Sequence, residues 1–295
     1  MPTSQLIYYA TSMTFAAAGA FALSPLCIPL SELIGAVDLP LDGRRMHRRA
    51  VPRIGGLAVF TAFLTAAAAF FSGNDELVPL LGGGLAIILI GIADDACRVS
   101  PLQKLVFQFS GAAISILLGG DLWAYDPWKA AAALVWPVFL SNAFNLIDGL
   151  DGLCARVTAF SAISLFALGG SPLCLLLSGA MLGFLPYNLR GARLFLGDTG
   201  ALFAGFSLGV LSLPLLIGAE SARNVPALFL IFALPVADTA SSFLRRALKG
   251  KNPLSPDRGH FHHRLVDGGL SHARASLLLS LISLALCSVG VAFGS

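Results

Sequence analysis

Long apolar runs separated by short polar breaks dominate this sequence. About ten of these runs are long enough to cross a bilayer as helices, at roughly 20 residues each. They lie near residues 6–30, 54–72, 78–93, 102–119, 129–146, 153–168, 173–189, 200–217, 225–246 and 275–293. Several breaks carry turn chemistry, as in Ser72-Gly73-Asn74-Asp75, Gly119-Gly120-Asp121 and Gly169-Gly170-Ser171-Pro172. Pro137, Pro186 and Pro235 fall inside runs, where membrane helices tolerate them if neighbours re-satisfy the freed carbonyls. The alternating pattern of an outer-membrane barrel does not occur, and no internal repeat or low-complexity linker interrupts the chain. The pattern predicts an all-α polytopic integral membrane protein of about ten transmembrane helices, one integral domain over residues 1–295. The first run has no basic stretch before it and reads as a retained span, not a cleaved signal.

Composition agrees with the pattern. The 295 residues are 56% hydrophobic and 12% charged, against about 25% charged in a soluble domain. Five scattered cysteines contain no Cys-x-x-Cys pair, so neither a disulfide framework nor a thiolate zinc site is suggested. The net charge of +3 matters less than where the charges fall. Alternating the spans puts seventeen of the nineteen Lys and Arg residues on one side, leaving Lys129 and Arg223 on the other. Basic loops mark the cytoplasmic side, so both termini are predicted to be periplasmic.

The same alternation places every polar cluster on that cytoplasmic side. The densest is Asn142-Ala-Phe-Asn145-Leu-Ile-Asp148-Gly149-Leu-Asp151-Gly152. Ionisable groups at a membrane span end mark a functional site by default. If helical, Asp148 and Asp151 share a face with Asn145 beside them. Asp94-Asp95 ends the third run; adjacent carboxylates repel and ask for a cation or a shared proton. Asp198 lies between glycines at the start of the eighth run, where it could cap a helix or ligate Mg²⁺. The loop expected after the ninth run, with Pro256-Asp-Arg258-Gly-His260-Phe-His262-His263-Arg264, concentrates groups that bind phosphate. Zinc is the rival there, without a partnering cluster. A basic stretch, Arg44 to Arg53, precedes Gly55-Gly56, a turn where phosphate could approach backbone amides. Lys104 could reach the same face. Carboxylates beside arginines and histidines suit a phosphate together with a divalent metal, and the membrane setting suggests a lipid substrate.

Taken together, the stretches Arg44–Gly56, Gly91–Lys104, Asn142–Gly152, Asn188–Gly200 and His260–Arg264 resemble the polyprenyl-phosphate N-acetylhexosamine-1-phosphate transferases. This is the family of bacterial MraY, WecA and TagO, and the His-Phe-His-His-Arg-Leu form is closer to the WecA/TagO branch. The resemblance implies that a polyprenyl phosphate, undecaprenyl phosphate in bacteria, attacks a UDP-N-acetylhexosamine and releases UMP. The product would be a polyprenyl-diphospho-sugar for cell-envelope polysaccharide. It further implies roles for residues. Asp94 and Asp95 would serve the lipid phosphate as base or orienting groups. Asp198 would bind Mg²⁺ with Asn145 as a second ligand, and Asp148 would support that centre. Asp151 would lie near the uridine, with Asn188 also on the substrate. Lys104, Arg258, His260, His262 and His263 would hold phosphates, His262 acting at the reaction itself. The location implied is the bacterial inner membrane, with the site on its cytoplasmic face. No nucleic acid is expected, and a homodimer is left open. Departures from the family pattern at Ala50, Gly191, Arg193 and Ala201 remove no proposed ligand.

Two other readings compete. A CDP-alcohol phosphotransferase would match Asp151-Gly152-Leu-Cys-Ala155-Arg156, but the glycine and aspartates that should follow are Leu165, Gly169 and Leu173. An ion-coupled transporter would distribute polar groups through the membrane. Only Asp238, inside the ninth run, points that way.

Overall fold

The structure, a computed structural model, describes residues 2–39, 50–97, 99–119, 127–189, 191–218, 221–250 and 259–294. The helices are α1 (Thr3–Leu33), α2 (Gly55–Phe70), α3 (Leu77–Cys97), α4 (Pro101–Leu118), α5 (Pro127–Ile147) and α6 (Leu153–Ala167). They continue with α7 (Leu173–Asn188), α8 (Gly197–Ile217), α9 (Ser221–Ile231), α10 (Ala233–Leu248), α11 (Phe261–Asp267) and α12 (His272–Gly294). Two short antiparallel strands, β1 (Val37–Asp38) and β2 (Val51–Pro52), pair Val37 with Pro52 and Asp38 with Val51.

Every predicted run coincides with a helix. Among the described residues, six helices are long and apolar enough to cross a membrane, or seven if one bent pair is a single span. Three more, α2, α6 and α7, are apolar but shorter. The chain is thus an all-α polytopic membrane protein.

Two expectations are corrected. The ninth run, 225–246, is not one straight helix: α9 and α10 meet at Phe232 with a bend of 78°. Pro235 lies in the first turn of α10. Its ring nitrogen cannot donate back into α9, so the helix restarts where proline is tolerated. The histidine stretch is not a plain loop either, because Phe261–Asp267 forms a helix.

The bundle is organised around α8, which is buried along most of its length and packed by α2, α3 and α5. Lipid gives no hydrophobic drive for helices to associate, so small residues that let backbones approach decide the packing. Gly205 lies against the Leu140 carbonyl of α5, and Gly209 against Pro137. The amino end of α8 receives the closest approaches. A Cβ at Gly56 would lie 2.2 Å from the Cα of Gly200, and one at Gly91 would lie 2.5 Å from the Cα of Thr199. Backbone stands in the way in both cases and cannot swing aside.

Gly56→Ala is therefore expected to destabilise the protein by about 2–3 kcal/mol or more through overpacking, seen as a lower melting temperature in detergent. Gly73→Ala, with open space around its Cβ, is the control and should leave melting unchanged.

Candidate active site

The third helix carries a buried stripe at helical spacing, Gly84, Ile87, Ile88, Gly91 and Asp95. The stripe packs on α8, and Asp95 is its last residue. That position aims a carboxylate at the exposed amides of the α8 amino end. Asp95 Oδ1 accepts from the Asp198 N–H at 3.0 Å, and Oδ2 accepts from the Thr199 N–H at 2.9 Å and from Thr199 Oγ1 at 2.7 Å. Arg53 Nη2 lies 3.4 Å from Asp95 Oδ1. The first amides of a helix lack internal partners and favour a negative charge, so Asp95 anchors α8 from a neighbouring helix. Asp198 stands in the first turn of α8 and does not cap it.

Asp94, one residue away, faces differently. Its Oδ1 accepts from the Val99 N–H at 2.6 Å, which closes the turn into α4. Ser100-Pro-Leu-Gln103 then forms a capping box, with Pro101 at the first helical position. This start fixes Lys104, whose Nζ lies 2.5 Å from Asp94 Oδ2 and 2.5 Å from Asp198 Oδ2. Arg53 Nη2 also reaches Asp198 Oδ1 at 3.6 Å. Stretches distant in sequence thus meet in one ionic cluster at the amino end of α8.

The stretch after α5 does not stay helical. The helix ends at Ile147, Asp148 to Gly152 form turns, and Gly152 has a φ of 70°. Glycine adopts that left-handed conformation without strain. Asp148 and Asp151 therefore separate. Asp148 remains beside the ionic cluster, and its carboxyl is pushed well above the ordinary range. Burial is the main cause, followed by the charges of Asp198 and Asp95, with Arg53 opposing. Arg53 is held more firmly protonated by Asp95 and Asp198, despite the opposing effect of its burial.

Asp151 points to the loop before α8. Its Oδ2 accepts from the N–H groups of Gly191 and Ala192 at 3.0 and 3.4 Å. Asn188 is buried, accepting from the Gly152 N–H and donating to the Leu194 carbonyl. These two residues bind loop to loop. Asn145 is partly exposed in the last turn of α5, and its carbonyl accepts from the Asp148 N–H. Asn142 joins Gln108 across α4 and α5 instead.

Of the histidines, His262 is buried and its ring lies so close over Gly149 that a Cβ there would be 2.3 Å from Nε2. Burial, then the charge of His263, lowers its pKa to about 4, so His262 is neutral near pH 7. His260 and His262 stack with ring planes 7° apart, and His263 lies beside them at 4.2 Å from His262. Arg258 falls outside the described residues, as do residues 44–49.

One sequence expectation fails. The Gly55-Gly56 amides donate to the carbonyls of Phe195 and Leu196, so they are not open to a phosphate. Sequence reasoning also missed Arg53, counted only as one basic loop residue. Its signal was position, since it is the last basic residue before the glycines that pack on α8.

Among the described residues, no three His, Cys, Asp or Glu side chains converge as a ready metal-ligand set. The reason is visible. The Lys104 ammonium stands between Asp94 and Asp198, in the place a cation would share. The donor chemistry nonetheless fits a hard divalent ion. Three carboxylates (Asp94, Asp95 and Asp198) meet two cations, Arg53 and Lys104, within the field felt by Asp148.

Asp95→Ala is expected to cost about 1–3 kcal/mol, because it leaves the Asp198 and Thr199 amides at the α8 end without their acceptor, while Arg53 keeps Asp198; Asp94→Asn should melt near the wild type. Thermal melts in detergent separate the two. Asp148 has a folded pKa above its unfolded value, so stability is lost as pH rises from the unfolded pKa through the folded one. Asp148→Asn should thus raise the melting temperature of metal-free protein at pH 7 by about 2–5 °C and flatten its decline with pH.

A comparison with known proteins adds to this geometry. The Glycosyl transferase family 4 model matches residues 77–216. A Bacillus subtilis protein named probable undecaprenyl-phosphate N-acetylglucosaminyl 1-phosphate transferase is 38% identical, over 88% of this chain and 78% of its own length. A Mycolicibacterium smegmatis decaprenyl-phosphate N-acetylglucosaminephosphotransferase is 33% identical, over 85% of this chain and 74% of its own. A Yersinia pestis undecaprenyl-phosphate alpha-N-acetylglucosaminyl 1-phosphate transferase is 29% identical, over 88% and 77%.

Proposed function

The chain belongs to the polyprenyl-phosphate N-acetylhexosamine-1-phosphate transferases, and from that premise we propose its reaction and the work of its residues. It transfers N-acetylglucosamine 1-phosphate from the UDP-sugar to a polyprenyl phosphate. A lipid phosphate oxygen forms a bond to the sugar-linked phosphorus, the bond from that phosphorus to the bridging oxygen breaks, and UMP leaves. The observation that carries this reading most is the meeting of Asp94, Lys104, Asp198 and Arg53 within 2.5–3.6 Å at the α8 amino end. The transporter alternative finds no support among the relatives, which are transferases.

Phosphoryl transfer asks a protein mainly for positioning and for stabilisation of charge on oxygen. In this reading Lys104 and Arg53 hold phosphate oxygens, and Asp94 orients the lipid phosphate. The neutral His262 offers a hydrogen bond without adding a charge, with His260 and His263 beside it. Arg258 would join them from the same stretch. Asp198 and the Asn145 carboxamide would hold Mg²⁺, with Asp148 supporting. The ion would supply Lewis-acid charge neutralisation on the phosphates when bound. Asp151 and Asn188 act by shaping the turn and the loop against which the nucleotide rests.

The site lies on the cytoplasmic face of the bacterial inner membrane in this reading. The basic residues support that orientation. It makes ten spans of the apolar helices, with α9 and α10 counted together, and puts both termini on the periplasmic side.

Purified protein given undecaprenyl phosphate, UDP-N-acetylglucosamine and Mg²⁺ should release UMP and form the sugar-diphospholipid; no UMP with any UDP-N-acetylhexosamine would refute the reading. Asp198→Asn should lower Mg²⁺-dependent turnover by at least about a hundredfold while the protein still elutes as a folded species. Retained turnover would defeat the metal assignment.

A further inference from the structure

The reaction above makes no use of the buried carboxylate on α10. Asp238 is 1% exposed on α10, and a lone buried carboxylate is costly unless its lone pairs are met. Its Oδ1 accepts from the Phe261 N–H at 2.7 Å, and its Oδ2 lies 2.8 Å from His260 Nδ1. Ser242, one turn further along α10, stands 3.2 Å from the same nitrogen and accepts from Arg245 Nη2 at 3.0 Å. Asp238, Ser242 and Arg245 fall on one helix face by their spacing. Beyond the 78° bend at Phe232, Asp238 and Ser242 meet the histidine stretch at His260.

The contact fixes chemistry as well as place. A carboxylate can only accept, so the proton between Asp238 and His260 belongs to Nδ1. Nε2 is then the nitrogen left for a ligand, and it donates to a phosphate oxygen when the ring carries a second proton, with the Asp238 carboxylate facing that charge. Anchoring α11 needs only one oxygen of Asp238, the one on Phe261. The other serves the imidazole. From His260 the contact continues. Its ring stacks on His262, and the His262 ring rests on Gly149, next to Asp148.

We propose that Asp238 is a positioning residue of the transferase. It holds His260 as the Nδ1–H form and, through the stacked rings, sets the histidines against the Asp148 turn where the pyrophosphate is handled. The proposal rests on the reading of these histidines as phosphate-holding groups.

Asp238→Asn is the sharp probe because it preserves shape. If its carboxamide oxygen keeps the Phe261 N–H, its NH₂ faces His260 Nδ1, requires that nitrogen to be bare and so prevents the ring from carrying protons on both nitrogens. The expected result is a fall in kcat for UMP release of about ten- to a hundredfold, the range for a group that orients a working histidine. His260→Gln should fall similarly, and the double variant should be no slower than His260→Gln alone. Losses that multiply in the double variant would overturn the proposal.

A second readout needs no turnover. In protein carrying ¹⁵N-histidine, the His260 resonances, identified by their disappearance in His260→Gln, should show a protonated Nδ1. That signature should be lost in Asp238→Asn. A wild-type His260 with a bare Nδ1 would overturn the proposal even if Asp238→Asn does not fold. Wild-type protein that releases no UMP would count against the proposed reaction, while the nitrogen spectrum would still decide the Asp238–His260 pairing.

Discussion

The constraint on which the fold and the site both depend is the burial of the Asp95 carboxylate against the amino end of α8. A membrane interior supplies no water for orphan amides, so a helix that begins inside the bundle needs acceptors from its neighbours. Asp95 supplies both oxygens to that end, to the Asp198 and Thr199 amides and the Thr199 hydroxyl. In doing so it fixes the direction of Asp198, its neighbour in the ionic cluster. The glycines of α2 and α3 are what allow the backbones to come close enough for these bonds. Helix packing and site geometry are thus two consequences of one arrangement.

The same division of labour recurs. The two members of each acidic pair turn to different partners. Asp95 anchors α8 while Asp94 meets Lys104. Asp151 holds the amides of Gly191 and Ala192, while Asp148 stays in the field of Asp198 and Asp95. Asp238 accepts from the Phe261 amide and from His260. A carboxylate satisfied by backbone donors is rigid. It can hold a neighbouring group still in a region built largely from turns, whose own packing would not fix a side chain to a fraction of an ångström.

Much of this was legible in the chain. The apolar runs located the helices, because hydrophobic length is close to a sufficient signal in a bilayer. The polar interruptions located the residues that gather, since a charge at a span end is expensive without a purpose. What could not be read was which member of a pair faces which way. Asp94 and Asp95 are adjacent and chemically identical; only the stripe through Gly91, and its contact with α8, separates them. The break at Asp148 was hidden for a similar reason, since Asn145, Asp148 and Asp151 fit a helical face. The helix ends instead at Ile147, and Gly152, in the left-handed conformation, leads the chain into α6. The pairing of Asp238 was obscured by treating the ninth run as one straight span.

That pairing was nevertheless deducible in principle. An acidic residue in an apolar run must find a donor, and three clustered histidines with two arginines outnumber the one acid of their stretch, Asp257. Matching unsatisfied acid to unsatisfied base would have joined Asp238 to the His260 stretch and required the helix to bend so that the two could meet. Proline at 235 was the residue that permits such a bend. For membrane enzymes, the rule that every buried polar group must be answered therefore locates long-range contacts that periodicity cannot.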